Sequence, residues 1–383
     1  MKSETGRVAI LTRTSTENFG TILQAYALQK YMSSLGFETF VIDDSVPRNE
    51  YISAFKTDKS MQSIKERIYY SFDHFLEEIR LLYSLKFKHN TAKFKKSRIR
   101  YFTPKNTQEL NSQFDIFISG SDQIWATSAE PLLFSFFMQD FVSNGKTQIS
   151  YAVSIGESVF PESKKALVTQ LIGKFDYLSV RELSSKQTLQ QYTDNNIAIT
   201  CDPVFLLNKE FWNKIANQKK VKDEYIFCYF LSENPWYYKK VQELTDNLNL
   251  PVYYIGKKAD KFLPKGFKCV RKPSPNEFLN YIKNSKFILT DSFHATLFSM
   301  IFNKSFNVFE RFKIKNNTQN DRLLYILDRF KIKDFYIKEH QPLNLEIIDY
   351  TIVNNEINCF AAESKLYLYN ALFLNNHTIT ENQ

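Results

Sequence analysis

Glycine is scarce in this chain, 9 among 383 residues. Neither GxGxxG nor GxxxxGKS/T occurs, so a glycine-rich phosphate cradle is not its main binding device. The four cysteines, Cys201, Cys228, Cys269 and Cys359, are scattered with no CxxC pair and no histidine close by. They read as reduced, mostly buried thiols of a cytosolic protein. Of five histidines, His74, His89, His340 and His377 lie outside any motif, and no group has metal-ligand spacing, so no protein-held metal or cofactor is expected. Met1-Lys-Ser-Glu-Thr-Gly-Arg7 has no apolar signal core, and no later apolar stretch approaches membrane-spanning length. The expectation is a soluble, cytoplasmic protein, at most peripheral at the inner face of a membrane.

What the chain has instead is aromatic side chains, 35 Phe and 22 Tyr, within a 43% apolar composition. At 383 residues that is enough for two cores, and length alone suggests two domains. The formal charge of +9 favours anionic partners: phosphorylated substrates, acidic membrane surfaces or nucleic acid.

Apolar runs and helical spacings alternate. Arg7 to Leu11 reads as a strand, Thr21 to Ser34 as a helix ended at Gly36, and Phe40 to Ile42 as a second strand, a right-handed βαβ unit. Residues 48 to 105 interrupt it with a helical stretch over 61 to 85 and a basic run, 86 to 100, of seven further Lys or Arg set among Phe87, Phe94 and Ile99. That run is either a solvated helix face or an amphipathic surface for anionic lipid, where each basic residue contributes ~1 kcal/mol. Nucleic acid is disfavoured because no binding motif accompanies it. Alternation resumes with strands at 114–119, 149–152, 177–180 and 197–199. Their polar exits, Gly120 to Gln123, Ser154 and Gly156, Arg181 and Glu182, and Asp202, line one rim with the loop after the first strand. A second run follows: strands at 225–230, 252–255, 287–289 and 305–309, helices at 235–248, 275–285 and 321–330, and a terminal helix over 355–373. The boundaries are 1–207, with the insertion at about 48–105, then 208–345, then a helical tail, 346–383.

The stretch from Phe287 to Phe302 is apolar, abruptly polar at Thr290, Asp291, Ser292 and His294, then apolar again at helical spacing. It reads as strand, turn and helix. Asp291 or Ser292 caps the helix, and His294 lies at the carboxyl end of a strand, where open α/β sheets bind ligands.

Taken together, the chain resembles the polysaccharide pyruvyl transferase family. The carrying motifs are Asn18-Phe-Gly-Thr-Ile-Leu-Gln-Ala-Tyr-Ala-Leu-Gln29, Phe114-Asp-Ile-Phe-Ile-Ser-Gly-Ser-Asp-Gln-Ile-Trp125, Ser150-Tyr-Ala-Val-Ser-Ile-Gly156, Ser179-Val-Arg-Glu182, Cys201-Asp-Pro-Val-Phe-Leu-Leu207 and Thr290-Asp-Ser-Phe-His-Ala-Thr-Leu-Phe298. The resemblance implies an α/β fold like the GT-B glycosyltransferases, two Rossmann-like domains facing across a cleft, here with a basic helical insertion and a C-terminal helix. It also implies transfer of pyruvate from phosphoenolpyruvate onto a sugar of a cell-surface polysaccharide precursor, often lipid-linked, as a cyclic ketal with release of phosphate. Phosphoenolpyruvate carries a carboxylate and a phosphate, so its site needs a bidentate cation and oriented N–H donors. Arg181 matches the family's donor-binding arginine; the alternative is an ion pair with Glu182. His294 matches the general acid, which would also bind phosphate when charged. Asp202 or Asp122 is the base toward the sugar, or else hydrogen-bonds its hydroxyls or caps a helix. Asn18 and Gly20 shape the first loop near the acceptor, or else form a turn and an N-cap. Ser121, Gln123, Asp291, Ser292 and Arg322 complete the substrate-binding set, and Trp125 stacks on a sugar or fills the core. A nucleotide-sugar glycosyltransferase of the same shape is the alternative.

Overall fold

The computed structural model describes residues 6–14, 16–45, 49–50, 85–127, 133–216, 223–256, 266–271, 273–311 and 320–374, with side chains in 85–98 from residue 90 onward. The helical stretch expected over 61–85 lies outside these, Leu85 excepted. Two all-parallel sheets organise the chain. The first contains β1 (Arg7–Leu11), β2 (Glu38–Ile42), β3 (Tyr101–Phe102), β4 (Ile116–Asp122), β5 (Thr147–Val153), β6 (Leu178–Val180) and β7 (Ile197–Ile199), in the order β3-β2-β1-β4-β5-β6-β7. The second contains β8 (Ile226–Tyr229), β9 (Val252–Ile255), β10 (Phe267–Cys269), β11 (Phe287–Thr290), β12 (Ser305–Phe309) and β13 (Tyr336–Ile337), in the order β10-β9-β8-β11-β12-β13. Each order turns back beside its first strand, which is the switch point of a Rossmann-like doubly wound sheet. The inner strands are apolar on both faces because helices cover both, as parallel sheets require.

The helices that position the site are α1 (Phe19–Ser34), α2 (Leu85–Arg98), α3 (Pro275–Asn284), α4 (Phe293–Ile301), α5 (Asp321–Arg329) and α6 (Tyr350–Phe373). Asn18 caps α1, its side chain accepting from Gly20 N at 2.9 Å and Thr21 N at 3.4 Å. Gly36, at φ 97°, ends it in a left-handed turn that a Cβ would disfavour. Most of α1 is buried, even Gln24 and Gln29, because it lies between the two sheets' units. Its amide groups donate inward: Gln24 Nε2 to Thr12 Oγ1 at 3.0 Å, and Gln29 Nε2 to Arg100 O at 2.7 Å. A helix enclosed on every side carries no amphipathic stripe.

One apolar core runs through both units. Phe19 of α1 stacks on Phe278 of α3 with centroids 4.7 Å apart, and Phe278 meets Tyr229 edge-on at 5.0 Å. The last helix, α6, returns to the first sheet: Ser364 Oγ accepts from Cys201 N at 2.8 Å and Tyr367 Oη donates to Ser150 O at 2.8 Å. Its first residue, Tyr350, donates to Lys304 O in the second unit. α6 therefore straps one unit to the other.

Three expectations change. The strand expected at 114–119 starts at Ile116 and runs through Gly120 to Asp122, so Gly120 is strand and not turn. A Cβ on Gly120 would come within 2.5 Å of Leu28 Cδ2, so the close approach it permits is that of α1. The edge strands β3, β10 and β13 are two or three residues long, too short for a periodic signal. The basic run forms α2, but Phe94 and Ile99 point inward, Phe94 edge-on to Tyr26 at 5.6 Å. Lys95 also turns in, donating to Thr16 O at 2.9 Å, and Lys93, Lys96 and Arg98 remain outside.

Candidate active site

The carboxyl ends of β1, β4, β6, β7 and β11 converge where the two units meet, and each exit supplies a polar side chain. Arg181 follows β6 and is 2% exposed, while Asp202 follows β7 and is 1% exposed. Arg181 Nη1 donates to Asp202 Oδ2 at 2.8 Å, Ser121 Oγ donates to the same oxygen at 3.1 Å, and Asp202 Oδ1 accepts from Val204 N at 3.1 Å. His294, 7% exposed and in the first turn of α4, brings Nε2 to 3.3 Å of Asp202 Oδ2, close enough for an ion pair but not aligned as a hydrogen bond. On its other side Arg181 Nε lies 3.5 Å from Glu182 Oε2, so the expected pairing with Glu182 exists alongside the one with Asp202. Arg181 Nη2 has no hydrogen bond among the described residues.

Gly20 makes room for the imidazole. A Cβ at position 20 would sit 2.1 Å from His294 Nδ1 and 2.6 Å from His294 Cβ, so only glycine lets α1 pass this close to α4. Gly156, at φ 70°, does the same for Gln123, whose Nε2 would lie 2.1 Å from an added Cβ. Asp122 ends β4 at φ 74°, a left-handed conformation that for a non-glycine residue costs on the order of 1–3 kcal/mol. The turn is held by Thr21 Oγ1 donating to Asp122 Oδ2, Gln123 N to Oδ1 at 2.9 Å, and Ser154 N to Asp122 O at 3.0 Å.

Charge follows from this geometry. Burial alone would raise the Asp122 carboxyl, but His294, Arg181 and Arg13 outweigh it and hold it well below the usual range. The same competition lowers Asp202, burial opposing and His294 and Arg181 prevailing. For Arg181, burial is overcome by Asp202, Glu182 and Asp122, and its pKa rises. Arg322 goes the other way: burial, then repulsion from Arg181, lower it to about 10. Two carboxylates and a guanidinium are thus kept charged away from water, which isolated buried charges could not be.

Asn18, Gly20, Ser121, Asp122, Arg181, Asp202 and His294 are thereby brought together. Ser292 is the cap of α4, its hydroxyl accepting from Ala295 N at 3.4 Å, and the helix opens at Phe293, one residue before His294. Asp291 does not cap. Its carboxylate accepts from Leu231 N at 2.6 Å, Ser232 N at 2.9 Å and the Ser232 hydroxyl, tying the exit of β8 to that of β11, and burial raises its pKa. Trp125 is 0% exposed with Nε1 donating to Phe137 O at 2.9 Å, so it fills the core and does not stack on a sugar. Sequence reasoning passed over Arg13, Thr21, Phe293 and Arg311. Arg13 and Arg311 each follow a strand end by two residues, which was a usable signal; Phe293 was hidden in an apolar period. Among the described residues no group of three or more His, Cys, Asp or Glu is placed to hold a metal.

Residues 18–311 match the profile of the family described as polysaccharide pyruvyl transferase. The chain belongs to that family. The match spans the site from the cap of α1 through α4 to the exit of β12. A search of curated proteins finds no match. Among solved structures, UDP-N-acetylglucosamine 2-epimerase from Rickettsia bellii is similar at 9% identity and a TM-score of 0.48, covering 95% of this chain and 98% of that one. The Neisseria meningitidis enzyme of the same name, bound to UDP-GlcNAc, is 9% identical with a TM-score of 0.44, covering 98% of this chain and 100% of that one. Within the pyruvyl transferase family, this member's basic helix α2 lies inside the matched span, against α3.

Proposed function

We propose that this family member moves pyruvate from phosphoenolpyruvate onto two hydroxyls of a sugar in a cell-surface polysaccharide precursor, forming a cyclic ketal and releasing phosphate. The observation that carries the reading is the meeting of Arg181 Nη1 and His294 Nε2 on one buried carboxylate oxygen, at 2.8 and 3.3 Å. A cation with an unused N–H and a titratable ring beside it suit a small acid that carries phosphate and must receive a proton.

In this reading His294 delivers a proton to the methylene carbon of the donor, and C2 becomes an oxocarbenium-like electrophile. The first sugar hydroxyl adds to C2. Loss of phosphate with its bonding electrons regenerates the electrophile, and the second hydroxyl closes the ring. The methylene carbon gains one proton and the two hydroxyls lose one each, the second leaving with phosphate or solvent. A hydroxyl attacking such a cation becomes acidic only as the bond forms, so a carboxylate of low pKa suffices to orient it and take its proton. Asp122 and Asp202 both have that character, and Asp122 is the more open to an acceptor. Arg181, held by Asp202 and Glu182, anchors an anionic group of the donor through its unused Nη2.

The test is phosphate release from phosphoenolpyruvate in the presence of the host's surface-glycan precursors, with the product checked by mass spectrometry for ketal-linked pyruvate. Release should need the acceptor and fall by at least about tenfold in Arg181→Ala. Release unaltered in that variant would remove the proposed role of Arg181.

A lipid-linked acceptor would bring the protein to the inner membrane face, and the outward Lys93, Lys96 and Arg98 of α2 offer an electrostatic contact of ~1 kcal/mol each. Vesicles containing anionic lipid should bind the protein at low salt and release it when these three become Gln. Equal binding by the neutralised variant would end the case for α2 as the contact.

A further inference from the structure

Two buried guanidiniums lean on one ring. Arg181 Cζ lies 4.3 Å and Arg322 Cζ 5.7 Å from the centroid of Phe293, both within the ~6 Å over which a ring face attracts a cation. The three side chains come from separate places in the chain: the exit of β6, the first turn of α4 and the first turn of α5. Phe293 is itself buried, and its backbone is set by the Ser292 cap. Its ring also stands perpendicular to His294, with centroids 5.4 Å apart.

Two like charges out of water repel, and the repulsion must be answered by something. On one side of Arg181 the answer is Asp202 and Glu182. For Arg322 the attraction of Glu182 and Asp122 offsets part of it, and on the side the two guanidiniums share, the face of Phe293 presents its negative quadrupole to both cations. A leucine would fill much of the same volume and offer no such face. The unused Nη2 of Arg181, beside a second guanidinium on the same ring, suits a ligand with two anionic groups.

We infer that Phe293 is a positioning residue whose ring holds Arg181 and Arg322 as a paired clamp for a small ligand carrying two anionic groups. The inference rests on the proposed function in taking phosphoenolpyruvate as that ligand. Arg322 then binds the donor directly alongside Arg181, and Phe293 acts through both.

The ring's electrostatic role can be separated from its packing. Phenylalanine 293 would be replaced site-specifically by 4-fluoro- and 3,4,5-trifluorophenylalanine, which weaken the negative face at almost constant shape, and separately by Phe293→Leu. Dissociation constants for phosphoenolpyruvate and for inorganic phosphate would be measured by calorimetry, with thermal midpoints as the check on folding. Affinity for phosphoenolpyruvate should fall stepwise with fluorination and by roughly tenfold or more in Phe293→Leu. The loss should appear as a raised KM for the donor more than as a lower kcat, and the dependence on fluorination should shrink in an Arg322→Met background. If the fluorinated proteins bind phosphoenolpyruvate as the unmodified one does, the ring is filler and the inference is wrong, while the donor assignment stands. If the unmodified protein ignores phosphoenolpyruvate yet binds phosphate in a fluorine-dependent way, the clamp stands and the donor assignment falls. Binding of neither anion overturns both.

Discussion

Replacing His294 with Gln should lower turnover by about 10²–10⁴-fold, the range associated with a positioned general acid, while the protein keeps its fold. Glutamine retains a hydrogen-bonding group near Asp202 but cannot deliver a proton at neutral pH. The loss should therefore sit in kcat, with donor binding changed far less than in Arg181→Ala. Gly20→Ala tests the same imidazole from the opposite side. Its new methyl would fall 2.1 Å from His294 Nδ1, and since both atoms lie on the opening turns of helices held by the shared core, the ring has to leave its place. Turnover should drop nearly as far as in His294→Gln, at an overpacking cost of about 1–3 kcal/mol in stability. Wild-type rates in His294→Gln would eliminate the ring as the proton donor. Wild-type rates in Gly20→Ala would mean that the imidazole can work from another position.

Asp202→Ala should be the most destabilising single change in the site, by about 3–5 kcal/mol, because it strips the buried Arg181 of its closest partner and leaves only the longer contact with Glu182 and the more distant Asp122 to offset its charge. It also removes the acceptor for Ser121 and the cap on Val204. The pH dependence has a definite sign. The folded-state pKa of Asp202 is lowered from the ordinary 3.8, so its contribution is present in full above that value and is lost as the pH falls through the folded-state pKa. The gap in stability between the native protein and Asp202→Asn should thus be constant from about pH 7 to pH 5 and narrow only below roughly pH 4. Urea unfolding across that range measures it. A gap that widens in acid would mean that the carboxylate is held neutral, contrary to the ion-pair geometry.

Much of the architecture was legible along the chain. The strands at Arg7–Leu11, Ile197–Ile199, Val252–Ile255 and Ser305–Phe309 and the helix Pro235–Leu248 coincide with their expected spans, because apolar runs and a helix-starting proline are local signals. Five polar strand exits do share one rim, since parallel pairing in the order β2-β1-β4-β5-β6-β7 leaves no other arrangement for them. Edge strands of two or three residues were not legible, and neither was the fate of the basic run. Phe94 and Ile99 look the same in sequence whether they face lipid or the core, and only the tertiary packing, with Phe94 set against Tyr26 of α1, settles which.

Residue order alone determined the alternation of strands and helices, the family and the list of polar groups at the strand ends, because each is encoded in segments of a dozen residues or fewer. Tertiary structure decided how those groups divide their work. Asp291 and Ser292 stand beside His294 in the chain, yet one ties two loops together and the other caps a helix. Asp202, more distant in the chain, is the group that meets both His294 and Arg181. The reason is that hydrogen bonds and ion pairs act over about 3–4 Å, and which groups come within that reach depends on how two sheets and a strapping helix close on one another.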